Sequence, residues 1–142
     1  MDTVKGMIMQ SSGRAGYLED LYEVVQNRLP MYKSTGWGGV PYYSAPSRAG
    51  RCICTGILDR LADMYKEEIE VASMFVVPDD AAGCREDLIE AIKLNIIDQK
   101  KYSFETLSAR FYPFPYSHKK FTQCRHIFII ALLILLGLEE AI

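Results

Sequence analysis

The chain has 142 residues, of which 49% are hydrophobic and 24% charged, and its net charge is -2. A chain of this length buries roughly two-thirds of its unfolded surface, so we expect one domain over residues 1–142 and exclude a disordered protein. The balance of 16 basic against 18 acidic side chains argues against a nucleic-acid partner, because proteins that bind the nucleic-acid backbone normally show a basic face.

The N-terminal segment 1–10 lacks the charged start and apolar core of a secretory signal. We therefore expect a cytoplasmic protein whose cysteines are reduced thiols, most of them buried. These cysteines are Cys52, Cys54, Cys84 and Cys124. The longest apolar run, 127–136, has ten residues, whereas a bilayer span needs about 20, so we expect no integral membrane anchor.

The first half of the chain predicts two amphipathic helices. Apolar residues recur at helical spacing in 17–29, and Pro30 ends that helix. Residues 30–51 have the glycine, proline and serine content of a loop, in which we expect Trp37 to be packed. A second amphipathic helix is predicted from Cys54 to about Met74.

The second half predicts helices almost throughout. A short β-like run at 75–77 and a turn at 78–83 precede a helix that starts near Glu86. Ser103 can cap a helix over 103–111.

Two prolines then break the chain before a last, mostly apolar helix from Phe121 to about Leu136. A helix that is apolar on every side is typical of a buried position. The sequence therefore predicts an all-α globular bundle with this hydrophobic helix at its centre.

Cysteine and histidine residues could form either a catalytic site or a metal site. Cys54 or Cys124, with His118 or His126, could form a cysteine hydrolase, since a thiol at a helix start favours the thiolate. No orienting Asn or Asp can be singled out. Cys124, His126 and His118 could be metal ligands, but their spacing matches no zinc pattern and a fourth ligand is missing, so we expect no metal, no cofactor and no enzyme activity.

The helix from Cys54 has apolar residues at positions i, i+4, i+7 and i+11, with a small residue and an acid between the last two. This pattern resembles the BH3 region of the Bcl-2 family of apoptosis regulators. The BH3-like motif would comprise Leu58, Leu61, Ala62 and Asp63.

Three other segments follow in the order of that family. Residues 21–29 look like its first helix, and 137–142 look like the segment before its last conserved region. Residues 87–101 are similar to a conserved stretch and to the signature that begins the family's central helix. The chain stops before the family's last helix and membrane tail, so the resemblance implies a truncated Bcl-2-like domain encoded by a virus.

The resemblance implies that the protein sequesters pro-apoptotic BH3-containing host proteins in a hydrophobic groove. On this resemblance we expect the protein in the cytoplasm of the host cell, where peripheral association with mitochondria is one alternative. We also expect a homodimer, because an exposed apolar groove favours self-association. Lys101 would replace the signature arginine that binds the partner's Asp. The remaining groove residues would be Tyr65, Ile69, Ala72, Phe75, Leu88 and Ile92. The alternative is a helical interaction protein of another family that self-associates.

Overall fold

A computed structural model describes residues 16–76 and 85–142 of the protein. Within these residues the chain is mostly helical, which confirms the all-α prediction. Helix α1 spans residues 16–28. The later helices are α2 (Arg48–Arg60), α3 (Lys66–Met74), α4 (Arg85–Ile97), α5 (Phe104–Arg110) and α6 (His118–Leu135). A short hairpin is formed by β1 (Lys33–Thr35) and β2 (Pro41–Tyr43).

Helix α6 lies at the centre of the bundle, as predicted, and contacts α2, α3 and α4. Every side chain from Phe128 to Ile134 is buried, which is the expected place for a helix without a polar face. The helix begins earlier than predicted, because Lys120 N donates a hydrogen bond to Ser117 Oγ at 3.1 Å and so caps it at His118. No helix in the described part of the chain is long and apolar enough to cross a membrane.

The chain reverses direction at the end of α6. Gly137 has a φ of +72°, a conformation that side chains with a Cβ adopt at a cost. Leu138 N then donates to Leu133 O at 2.9 Å, which closes the helix. The last residues turn back to the start of α2, where Ser47 Oγ donates to Ala141 O.

The predicted loop over residues 30–51 contains the antiparallel hairpin, in which Lys33 pairs with Tyr43 and Thr35 with Pro41. The prediction of a packed Trp37 is wrong, because its side chain is 100% exposed at the tip of the hairpin. All three residues of β1 are exposed, so the strand has no buried face and leaves no alternating pattern in the sequence.

The single helix predicted from Cys54 to Met74 is also wrong. Helix α2 starts at Arg48, ends at Arg60 and is separated from α3 by a turn over 61–65. Leu61, predicted as a buried anchor, is 39% exposed in this turn. Both α2 and α3 pack against α6. The apolar spacing therefore continues from α2 into α3, and the spacing alone does not indicate the turn between them.

The second half agrees more closely with prediction. Ser103 caps α5, accepting a hydrogen bond from Thr106 N at 3.3 Å. The segment 95–101, which the resemblance placed at the start of the central helix, instead ends α4 and forms the turn before α5. Phe75 follows α3 in a turn, not a strand. The segments 1–10 and 78–83, together with Val77 and Cys84, lie outside the described residues.

Candidate functional site

An open cleft of about 420 Å³ lies between α3 and α4. On α3 its wall follows the spacing i, i+3, i+4, i+7, which places side chains on one helix face. On α4 the spacing is i, i+4. The described lining residues are Ala62, Asp63, Lys66, Ile69, Glu70, Ser73, Ile89 and Lys93.

The floor of the cleft is apolar and its rim is charged. Ile69 is buried and Ile89 half-buried, whereas Asp63 and Lys66 are exposed at the rim. Ser73 Oγ donates to Ile69 O at 2.8 Å, so this hydroxyl has its partner within α3 and needs none from a ligand. An apolar floor between polar edges is typical of sites that bind a partner's side chains.

One contact fixes the two helices at one end of the cleft. Arg85 Nη2, at the start of α4, donates to Ser73 O near the end of α3 at 2.8 Å. A guanidinium that donates to a carbonyl at a helix end supplies a hydrogen bond that this carbonyl cannot obtain within the helix. The separation of α3 and α4 is therefore set by a specific hydrogen bond as well as by packing.

Of the predicted groove residues, only Ile69 lines this cleft. Ala72, Leu88 and Ile92 are fully buried, so they belong to the core and have no surface for a ligand. Core and groove residues share the same apolar spacing on a helix, which is why the sequence assigned them to the groove.

The other predicted groove residues lie elsewhere. Phe75 stacks on Tyr22 of α1 with ring centroids 4.6 Å apart, and Tyr65 is half-buried at the end of the turn before α3. Lys101 is exposed in the turn after α4, where its backbone N donates to Asp98 Oδ1 at 3.1 Å. Its ammonium lies 5.4 Å from the centre of the Tyr102 ring.

The BH3-like motif is divided between core and cleft. Leu58 is buried and Leu61 exposed, whereas Ala62 and Asp63 lie at the edge of the cleft.

Sequence reasoning missed most of the cleft lining. Ile89 and Lys93 of α4 face the cleft, whereas Leu88, next in sequence to Ile89, is fully buried. Adjacent apolar residues on a helix point about 100° apart, so the pair Leu88-Ile89 was the available signal that α4 has two apolar faces.

The proposed hydrolase residues are poorly suited to nucleophilic catalysis. Burial raises the pKa of the Cys54 thiol to about 12, and its Sγ lies 3.9 Å from Ile129 O. Cys124 is also buried. A buried thiol whose pKa is raised stays protonated at neutral pH and is a poor nucleophile.

The two histidines have separate surroundings. His126 is buried and its Nδ1 donates to Tyr43 O at 2.9 Å. His118 is exposed and stacks on Phe104, with ring centroids 4.8 Å apart. Within the described residues, no group of three or more His, Cys, Asp or Glu side chains is arranged to hold a metal ion.

No protein-family model, curated protein or solved structure matches this chain. The likeness to the Bcl-2 family therefore depends on the sequence segments alone.

Proposed function

We propose that this protein binds an amphipathic helix of a partner protein in the cleft between α3 and α4. The observation that carries the proposal is the apolar floor of Ile69 and Ile89 beneath a charged rim. A volume of about 420 Å³ falls within the range of roughly 300–1,000 Å³ usual for ligand sites. In this mode of recognition, apolar anchors at helical spacing enter the groove while polar residues face the rim.

The ligand class comes from the resemblance, which points to BH3 helices of pro-apoptotic host proteins. Such a helix carries an aspartate beside its apolar anchors. Lys93 belongs to the cleft, whereas Lys101 is outside its described lining, so Lys93 is the better partner for that aspartate. Sequestering these helices would block mitochondrial permeabilisation, which is an anti-apoptotic function without catalysis.

The experiment is calorimetric titration of the full chain with a panel of BH3 peptides, including one whose conserved Asp is changed to Ala. Three variants are compared: Ile89→Glu in the floor, Lys93→Glu at the rim, and Lys101→Glu as a matched control outside the described lining. Circular dichroism establishes that each variant is folded.

We expect submicromolar binding by the unaltered protein. Ile89→Glu places a charge against the apolar face of the peptide, and Lys93→Glu repels its aspartate, so each should weaken binding at least about tenfold. Lys101→Glu should bind normally. Absence of binding by every peptide, with the helical spectrum intact, would overturn the proposal, as would a loss caused by Lys101→Glu alone.

A second candidate function is self-association through the hairpin. The apolar side chains of Trp37, Val40 and Tyr42 are 100%, 61% and 40% exposed, and neighbouring exposed apolar residues are typical of interaction surfaces. Sedimentation velocity at micromolar concentration should then detect a dimer that Trp37→Ser converts to monomer. A monomer at all concentrations would reject this candidate and leave the cleft proposal unaffected.

A further inference from the structure

A second pocket, on another side of α4, is lined by three arginines. Arg48 and Arg51 lie three residues apart at the start of α2 and so share a helix face, and Arg125 projects from α6. The pocket has a volume of about 250 Å³, and none of its described lining residues is acidic. The other described lining residues are Cys52, Thr55, Asn95, Ile96, Gln99 and Ile129.

These arginines lack counter-charges in the part of the chain that the structure describes, where none of the three forms an ion pair. The Nε of Arg51 is buried and has no hydrogen-bond partner. A buried N–H donor of a cation without a partner is costly, and a second guanidinium nearby adds like-charge repulsion. The folded protein therefore keeps a positive group that an anion would stabilise.

The electrostatic effects agree with this close approach. Burial and the charge of Arg51 both lower the pKa of Arg125. The pKa of His126 is lowered by burial and also by the charges of Arg125 and Arg51. The positive charges thus act on one another across the junction of α2 and α6.

Two neutral polar side chains of the pocket, Thr55 and Asn95, already have partners in the protein. Thr55 Oγ1 lies 2.8 Å from Ile96 O and 2.9 Å from Arg51 O. Asn95 Nδ2 donates to Tyr102 O at 2.8 Å. Beside the amide of Gln99, the charged groups available to a ligand are therefore guanidinium N–H donors, which suit planar or tetrahedral oxyanions.

A third cavity of about 210 Å³ adjoins the arginine pocket and shares Asn95, Gln99 and Arg125 with it. Its other described lining residues include Phe104 and His118, whose rings are stacked. Glu105 is the one acidic residue in its described lining. A ligand held at the arginines thus has room for an organic group beside aromatic rings.

We propose that the pocket formed by Arg48, Arg51 and Arg125 binds a phosphate group, either free phosphate or the phosphate of a small monoester. A phosphate monoester carries a charge of about -1.5 to -2 at pH 7 and offers several acceptor oxygens, which matches a pocket lined by three arginines better than a monoanionic carboxylate does. This site is independent of the α3–α4 cleft and does not rest on its proposed function.

The test is calorimetric titration of the full chain with inorganic phosphate, phenyl phosphate and benzoate. Phenyl phosphate presents a ring to the adjoining cavity, and benzoate presents the same ring with a carboxylate. The variants are Arg51→Gln and Arg125→Gln. Arg60→Gln, at the opposite end of α2 with a side chain 83% exposed, is the matched control.

We expect saturable binding of phosphate or phenyl phosphate at one site, with benzoate weaker. Arg51→Gln and Arg125→Gln should each weaken binding at least about tenfold, since each removes a charged donor from the oxyanion, while Arg60→Gln should bind normally. Tighter binding of phenyl phosphate than of inorganic phosphate would assign a monoester, and the reverse order would assign free phosphate.

Folding of the variants is checked by their melting temperature without ligand, which should not fall, because each removes a cation from a repulsive pair. At the same phosphate concentration, the melting temperature of the unaltered protein should rise more than that of Arg51→Gln. No saturable binding by the unaltered protein would overturn the proposal. An equal loss in Arg60→Gln, or a phosphate-dependent rise in Arg51→Gln as large as that of the unaltered protein, would reduce the effect to non-specific charge or salt and would also overturn it.

Discussion

The side-chain amide of Gln123 pairs with both backbone polar groups of Tyr43. Tyr43 N donates to Gln123 Oε1 at 2.8 Å, and Gln123 Nε2 donates to Tyr43 O at 3.0 Å. A side chain of α6 thus takes the place of a neighbouring strand beside β2. These two hydrogen bonds join residues that are far apart in the sequence and hold the hairpin on the bundle.

Gln123→Leu should destabilise the fold. The change removes two hydrogen bonds and leaves the N–H of Tyr43 without this partner, for which we expect a loss of about 1–3 kcal/mol in the free energy of unfolding. Urea denaturation measures the loss. Gln26→Leu, the same change at an exposed position of α1, should stay within about 0.5 kcal/mol of the parent, and an equal effect of both variants would contradict the assignment.

Two glycines of α2 should respond to alanine in opposite directions. A Cβ at Gly50 would lie 2.5 Å from Ala141 O and 2.8 Å from Leu133 Cδ1, so the backbone must shift. Gly50→Ala should lower the free energy of unfolding by about 1–3 kcal/mol despite the better helix propensity of alanine. A Cβ at Gly56 meets nothing within 4 Å, and Gly56→Ala should raise stability by up to about 1 kcal/mol.

Chemical denaturation of the parent and of both glycine variants under the same conditions measures the two changes in the free energy of unfolding. A stabilised Gly50→Ala would mean that the residues after α6 do not pack against α2 in solution.

The free energy of unfolding should fall as the pH drops from neutrality through the usual pKa of histidine, and His126 should be one cause. Burial and the charges of Arg125 and Arg51 lower its pKa below the ordinary 6.5, against the opposing effect of its bond to Tyr43. Since the unfolded chain then takes up a proton near pH 6.5 that the folded chain does not, this contribution to stability is present above that pH. It is lost as the pH falls toward the lowered pKa, at no more than about 1.4 kcal/mol per pH unit.

Unfolding free energies between about pH 7.5 and 5.5 measure this effect. The slope should flatten in His126→Gln and persist in His118→Gln, which changes the exposed histidine. The same slope in the parent and in His126→Gln would show that other groups cause the pH dependence.

Thiol labelling should separate two neighbouring cysteines. Cys52 is exposed, whereas Cys54 is buried with its pKa raised to about 12. In the native protein a maleimide should modify Cys52 at least about tenfold faster than Cys54, because the thiolate is the reactive form and must be accessible. Peptide mapping by mass spectrometry reads both sites, and rapid modification of Cys54 would revive the hydrolase alternative.

Helices could be predicted from the sequence where neighbouring residues indicate them, as an apolar run or a capping serine does. The apolar run of α6 and the cap Ser103 each predicted a helix from neighbouring residues alone. Ser47 caps α2 in the same way, accepting a hydrogen bond from Gly50 N, and this start was not predicted. The turn at Leu61 could not be read from spacing, because the residues before and after it pack on the same helix. The residues of the cleft could not be predicted from the sequence. Ile69 and Ala72 both lie at apolar positions of the same helix, and only three-dimensional packing places Ile69 at the cleft and Ala72 in the core.

The arginine pocket had no sequence signal at all. Arg51 and Arg125 come from different helices far apart in the chain, and each alone is an ordinary basic residue of a helix. Their proximity arises from the packing of α2 on α6 and becomes visible only in the folded protein.

The exposed position of Trp37 has a spectroscopic consequence. It is the single tryptophan of the chain, and its indole is surrounded by solvent in the native state. The native emission spectrum should therefore resemble that of free tryptophan in water and change little when the bundle unfolds, so that circular dichroism is the better probe of stability. The same indole becomes a selective reporter for contacts at the hairpin, because only a partner that covers this tip will shift its emission to shorter wavelength.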